Sequence, residues 1–190
     1  MDQRKVTTVG KFLCLVLRHK PEAIDLQLDS GGWANVDELL QKLEQSGRPL
    51  TKEELVSVVN IDNKQRFALT SNGALIRASQ GHSIAIDLGY APTEPPARLW
   101  HGTAKRFISS IFSTGLLKMN RHHVHLSADR NTAYTVGKRH GSPLVLRVDA
   151  RAMHNDGYGF FLSANGVWLT NNVPVSYLHE EPDLVEKDRR

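Results

Sequence analysis

Residues Gln65–Ala78 read QRFALTSNGALIRA. Two short β-compatible runs flank Ser71-Asn72-Gly73, and an Asn-Gly pair between such runs is a strong short-range hairpin signal. What precedes the hairpin is helical. Val9, Phe12, Leu13, Val16 and Leu17 recur at three- and four-residue spacing. That spacing puts them on one face of a first helix, with Thr7 or Thr8 as its cap and Pro21 as its stop. ANVDELLQKL, from Ala34, offers Asn35 as an N-cap with Glu38 three residues on, and LTKEELVSVV, from Leu50, repeats this capping-box pattern with Thr51 and Glu54. Three helices followed by a hairpin predict a winged-helix-like unit. That topology often serves nucleic acid, but a fold alone does not assign a function.

Downstream, APTEPPARL (Ala91–Leu99) holds three prolines. Proline fixes φ and removes a donor, so residues 91–98 read as an extended linker between a lobe at 1–90 and a second at 99–190. The second half is β-rich. Strands are expected at Leu99–His101, Val124–Ser127, Leu144–Val148 and Val167–Leu169, with another near Tyr177. Two helices fit between them, Ala104–Ser113 ending at Gly115, and Ala128–Lys138. The fold class is therefore α+β in two lobes, the second built on a small split sheet. The charged end, EEPDLVEKDRR, is expected to fray.

The bulk composition narrows the function classes. At 190 residues with 23% charged and 40% hydrophobic residues, the chain is globular rather than disordered. It has no long apolar run, and MDQRKVTTVGKF breaks too early for a signal segment. A cytoplasmic protein with no membrane partner is expected, monomeric because no coiled-coil seam is visible. The single cysteine, Cys14, rules out an internal disulfide and a Cys-based zinc site; inside its apolar run it reads as a small buried hydrophobe. Residues 1–95 carry 11 Lys/Arg against 12 Asp/Glu, and residues 96–190 carry 13 against 8. The basic balance of the second half suits an anionic substrate without proving one.

No P-loop, dinucleotide fingerprint, HExxH or GxSxG motif occurs. What stands out is Arg and His near glycines. LCLVLRHKP (Leu13–Pro21) ends an apolar helix in Arg18, His19 and Lys20. Cations there complement the helix dipole, which explains them structurally. That structural reading is the default; the alternative is that the apolar run anchors Arg18 and His19 rigidly for a ligand. Arg66 opens the first hairpin strand and could be no more than a solvated stem. IRASQGHS (Ile76–Ser83) supplies Arg77, Gln80, His82 and Ser83, either a polar loop or a set of phosphate and ribose donors. His101-Gly102-Thr103 follows a strand, where glycine lets a ligand approach the main chain. In RHHVHLSAD, His123 and His125 share a strand face with Ser127. The histidine pair invites a zinc reading, but no third ligand is evident and no metal is expected. Arg139 lies between Gly137 and Gly141, either free to meet a ligand or part of a helix C-cap.

Taken together and in order, LRHKP, GWANVDELL, RFAL, IRASQGHS, HGT, VHLSAD, VGKRHGSPLVLRVDA and ANGVWLT resemble one family. It is the NAD-dependent RNA 2′-phosphotransferases, KptA in bacteria and its eukaryotic tRNA-splicing relatives. The likeness runs from about residue 11 to 178. It implies a winged-helix RNA-binding lobe followed by an ADP-ribosyltransferase-like NAD lobe, and a catalytic set of Arg18, His19, Arg66 and Arg139. It implies NAD contacts at His101, Gly102, Thr103, His125, Ser127, Gly166, Val167 and Trp168. Of these, the Gly102 main chain would hold the nicotinamide carboxamide and His101 the adenosine ribose. Arg77, Gln80, His82 and Ser83 would face the RNA. Many ADP-ribosyltransferases place a catalytic Glu on a late strand; ANGVWLT offers Val167 instead, in keeping with a phosphate nucleophile that needs no base.

The resemblance implies a two-step reaction on a tRNA-like RNA carrying an internal 2′-phosphate, with NAD consumed as co-substrate. The 2′-phosphate attacks the nicotinamide ribose and expels nicotinamide. The ribose O2″ then attacks phosphorus, releasing 2′-OH RNA and ADP-ribose 1″,2″-cyclic phosphate. Two alternatives stay open from the sequence: stable ADP-ribosylation of nucleic-acid phosphate ends, and a nucleic-acid-binding module that senses NAD.

Overall fold

The computed structural model describes residues 2–181. Six α-helices and small antiparallel sheets divide between two compact units, residues 1–90 and 91–190. None of the described helices is long and apolar enough to cross a membrane.

In the first unit, α1 (Gln3–Arg18) is capped by Asp2, whose carboxylate accepts the Arg4 N–H at 3.2 Å, rather than by Thr7 or Thr8. Asp caps as well as Thr, and the helical periodicity continues upstream of the threonines through Val6. Leu13, Val16 and Leu17 have no exposed surface. Each such side chain contributes about 1.5–3 kcal/mol on burial, so the last turn of α1 cannot roll. Pro21 does not merely stop the helix; it opens a 3-10 turn, Pro21–Ile24. In α2 (Val36–Gln45), the Asn35 side chain accepts from Asp37 and Glu38 as expected, but the Glu38 carboxylate takes the Gln27 N–H instead of closing the box. In α3 (Lys52–Ile61), the Thr51–Glu54 box is complete. The hairpin pairs β2 (Phe67–Leu69) with β3 (Leu75–Ala78) in the register Phe67↔Ala78. Gly73, at φ +66°, donates to the Thr70 carbonyl to turn the chain. A third strand, β1 (Ala34–Asn35), pairs with β3 and was not anticipated.

In the second unit, the proline stretch after Tyr90 is ordered rather than loose: Pro92 bridges Phe161, and the Thr93 N–H reaches the Phe160 carbonyl at 2.8 Å. Arg151 grips the Pro95 carbonyl through Nε and Nη2 at 3.1 and 2.9 Å. Strand β4 (Leu99–Ala104) extends three residues past His101. A 3-10 turn and α4 (Ile108–Thr114) follow, with Gly115 at φ +80° as the C-cap. Next come β5 (Leu116–Leu117), β6 (Val124–Leu126), α5 (Arg130–Gly137), β7 (Pro143–Val148) and α6 (Ala150–Asn155). The described chain ends in β8 (Phe160–Leu162), β9 (Trp168–Thr170), β10 (Asn172–Val173) and β11 (Leu178–Glu180). Two three-stranded sheets result, β11-β7-β4 and β6-β9-β8, with β10-β5 as a separate pair. The charged stretch from residue 182 onward, expected to fray, lies outside the described residues.

Candidate active site

Three of the four Arg and His positions singled out above come together in the first unit. Arg18 is the last residue of α1 and His19 its C-cap. The Arg18 carbonyl, one of the helix-end acceptors without an intrahelical partner, takes the Ser83 N–H at 2.9 Å. Ser83 then returns its Oγ to His19 Nδ1, also at 2.9 Å. Ser83 is therefore tied to the end of α1 and orients the imidazole. Arg18 Nη2 reaches the Arg66 carbonyl at 3.4 Å, and that same carbonyl accepts the Ser79 N–H at 2.8 Å.

Arg66 is held by a residue the sequence reading passed over. Asp62 caps the end of α3 with its side chain only 5% exposed. It accepts the Arg66 N–H at 2.7 Å, Nε at 3.1 and 3.0 Å and Nη2 at 2.9 Å. Burial works to raise the Asp62 carboxyl, but the Arg66 guanidinium and the N–H groups of Arg66 and Lys64 outweigh it and hold the group below the usual carboxylate range. Reciprocally, the bond to Asp62 raises Arg66. The signal was present in the chain: an acid four residues before the Arg, just past a helix end. Cys14 is half-buried rather than buried, with Sγ 3.9 Å from Arg66 Nη1.

The other expected RNA-facing residues sit differently. Arg77 stacks 4.5 Å over the Trp33 ring and reaches the Gly31 carbonyl at 3.4 Å. Gln80 is half-buried. His82 is 1% exposed.

In the second unit, His101, Gly102 and Thr103 lie in β4, in the register Trp100↔Arg147 and Gly102↔Val145 with β7. Amide groups alternate sides along an antiparallel strand. The Lys105 N–H bonds to Ser142 beside β7, whereas Trp100 exchanges both its bonds with Ser127, at 2.9 and 2.7 Å. Gly102, like Trp100, therefore turns its N–H and C=O away from β7. One step from the Trp100–Ser127 bridge the ladder opens. The His125 carbonyl, which a continuous sheet would give to Gly102, is taken by His101 Nδ1 at 3.0 Å. The Gly102 main chain thus lines the split between the two sheets.

A carbonyl only accepts, so His101 Nδ1 carries the proton and Nε2 is left as an acceptor. Burial pushes this imidazole below its ordinary range, against the pull of the His125 carbonyl. His125 accepts from Arg121 at Nδ1, 3.3 Å away. Burial likewise lowers His123, whose ring lies 5.4 Å from that of Phe161. Among the described residues, no group of three or more His, Cys, Asp or Glu is arranged to hold a metal ion.

Glycine at 102 has a further reason that the sequence did not reveal. A Cβ there would fall 1.7 Å from the Ala133 carbonyl oxygen of α5, and one at Gly137 would fall 2.6 Å from the Thr103 oxygen. The paired glycines let α5 lie directly on β4. Gly166, at φ +76°, turns the β8–β9 hairpin, where the Ser163 hydroxyl closes the loop against Val167 at 2.9 Å. Val167 is half-buried, and Trp168 belongs to the core. Arg139 is exposed on a 3-10 turn, Lys138–His140, between Gly137 and Gly141.

The sequence profile of the RNA 2′-phosphotransferase, Tpt1 / KptA family, matches residues 3–172. The chain belongs to this family. Its relatives include three proteins named "Probable RNA 2′-phosphotransferase". The one from Agrobacterium fabrum is 54% identical, over 96% of this chain and 99% of its own length. That from Pseudomonas aeruginosa UCBPP-PA14 is 51% identical, over 95% and 100%. That from Nostoc punctiforme is 49% identical, over 95% and 99%. Family membership agrees with the resemblance carried by LRHKP, HGT and VGKRHG.

Proposed function

We propose that the protein removes an internal 2′-phosphate from RNA by passing it to NAD. The observation that carries this reading is the convergence of Arg18, His19 and Arg66 in a chain of the RNA 2′-phosphotransferase family. On this reading the first unit acts as the winged-helix RNA lobe and the second as the ADP-ribosyltransferase-like NAD lobe. The main-chain N–H and C=O of Gly102, facing the sheet split, match the acceptor and donor of a carboxamide. The acceptor Nε2 of His101 suits a ribose hydroxyl. His125 and Ser127 border the same split and would frame the ligand.

In the first step a phosphate oxygen bonds to C1″ of the nicotinamide ribose as the C–N bond breaks and nicotinamide departs. In the second, O2″ attacks phosphorus and the RNA O2′ leaves. O2″ gives up a proton and O2′ gains one, giving 2′-OH RNA and ADP-ribose 1″,2″-cyclic phosphate. Phosphoryl transfer of this kind needs mainly positioning and charge stabilisation. Arg18 and Arg66, with Arg139 assigned by the family motif, supply planar forks that stay charged at any working pH. His19, whose Nδ1 meets the Ser83 hydroxyl, would move the proton.

The test incubates the protein with NAD and an RNA carrying one internal 2′-phosphate. Dephosphorylated RNA with cyclic phosphate is the expected outcome. Accumulated ADP-ribosylated RNA in the wild type, or unchanged substrates, would refute the two-step reading.

A further inference from the structure

We infer that Asp62 is a positioning residue, aiming one edge of the Arg66 guanidinium at the RNA phosphate; this rests on the role assigned to Arg66 above. A guanidinium has five N–H donors in a rigid plane. Asp62 occupies the Nε–Nη2 edge and also holds the Arg66 main-chain N–H. Backbone and head group of one residue are thus closed onto one buried carboxylate. The side chain is folded into a ring and cannot swing away without breaking several charge-assisted bonds at once. The Nη1 side is left for an anion; its acceptor among the described residues is the weak Cys14 Sγ at 3.9 Å.

The helix beneath is cut to fit. Gly10, Cys14 and Arg18 stand four residues apart and share one face of α1. Arg66 lies along that face, and a Cβ at Gly10 would come within 3.3 Å of Nη2. Glycine is a poor helix former. Here it clears the space through which the clamped guanidinium passes.

Two roles for Asp62 give opposite signs. A carboxylate that only neutralised Arg66 would compete with phosphate, so its removal would tighten binding. A carboxylate that aims the fork would weaken binding when lost. The bonding favours the second, because the shared edge is not the one left for the anion.

The experiment uses the full chain without NAD and compares two short RNAs, identical except for a 2′-phosphate or a 2′-OH at one internal position. Asp62→Asn keeps an acceptor for the main-chain N–H but loses the charge. It is expected to cut the preference for the phosphorylated RNA about tenfold or more, the scale of one charged hydrogen bond. In an Arg66→Ala background the same change should cost nothing further, since Asp62 acts through Arg66. Gly10→Ala provides a variant with better helix propensity; it should lose preference while its unfolding temperature holds or rises. An unchanged or larger preference in Asp62→Asn, or an equal loss with and without Arg66, overturns the inference. Should Asp62→Asn fail to fold, full preference in Gly10→Ala overturns it. A wild type that shows no preference sinks the assignment of Arg66 itself, and the inference with it.

Discussion

Replacing Gly102 by Ala separates two reasons for a glycine in the HGT motif. One is room for a ligand against the main chain. The other is room for α5. The added Cβ would start 1.7 Å from the Ala133 carbonyl oxygen and 2.9 Å from the Gly137 nitrogen. Ordinary contact needs about 3.5 Å, so α5 or β4 must shift by nearly two ångströms. Backbone cannot rotate out of the way as a side chain can. β4 is also fixed along six residues of β7, so the displacement falls on α5. Overpacking of this kind costs about 1–3 kcal/mol and more when backbone is involved. For a unit of this size each kcal/mol lowers the midpoint by roughly 4–8 °C, so a fall of about ten degrees or more is expected. Thermal unfolding of the NAD-free protein, followed by far-UV dichroism, measures it. A Gly102→Ala variant that unfolds at the wild-type temperature, and differs only in its KM for NAD, would refute the packing argument.

Ser83→Ala removes the 2.9 Å partner of His19 Nδ1; turnover should slow about tenfold with little change in KM for RNA, and an unchanged kcat would show that the ring needs no such tether. His101 and His123 titrate below the unfolded value of about 6.5 because burial disfavours their charged forms. Between the folded and unfolded pKa the unfolded chain binds more protons, so thermal stability should fall as pH drops below about 6.5, and fall less in His101→Asn; a flat profile from pH 7 to 5 contradicts this. Arg139→Lys keeps the charge but loses the planar fork, and should accumulate ADP-ribosylated RNA in single-turnover gels; normal turnover removes Arg139 from the catalytic set. Raising salt should weaken binding of all RNAs steeply while leaving the preference for a 2′-phosphate over a 2′-OH nearly constant; a preference that collapses with salt would mean bulk attraction rather than shaped contacts.

The parts of the fold legible in the chain are those decided by neighbours a few residues apart. Thr51 with Glu54, Asn35 with the amides after it, and Asn72-Gly73 act locally, and their helices and hairpin stand where expected. The misses have long-range causes or leave too short a pattern. β1, β5 and β10 span two residues each, too few for a period-two signal, and exist because a partner strand lies alongside. β8 sits in DGYGFFL, where the glycines read as turn, and only its pairing with β9 makes it a strand. The same divide runs through the site. Arg18 and His19 stood out from LRHKP itself, whereas Gly102 facing Ala133 is a contact across some thirty residues that no local pattern records. Asp62 lay between these cases, four residues from Arg66 in sequence but recognisable as its clamp only from the bonds.

One feature of the first unit looks unfavourable for an anion site. The end of α1 carries about half a negative charge from its dipole, and Asp62 adds a full one beside Arg66. The two negative sources offset much of what Arg18 and Arg66 contribute. For an enzyme acting on RNA this balance has a use. Every phosphodiester along the chain is an anion, and a strongly positive surface would bind all of them, mainly through counterion release. A 2′-phosphomonoester differs by its extra charge, about −1.5 to −2 in total near neutral pH, and by its additional terminal oxygens. Distinguishing it requires donors fixed in direction rather than more positive charge. Arg18 is anchored by the buried last turns of α1, His19 is tied to Ser83, and Arg66 is clamped by Asp62 over Gly10. Each is restrained by a separate contact; on the proposed assignment the geometry of the three donors would be set before RNA arrives, and the carboxylate that lowers the overall attraction would be the same group that fixes Arg66 in place.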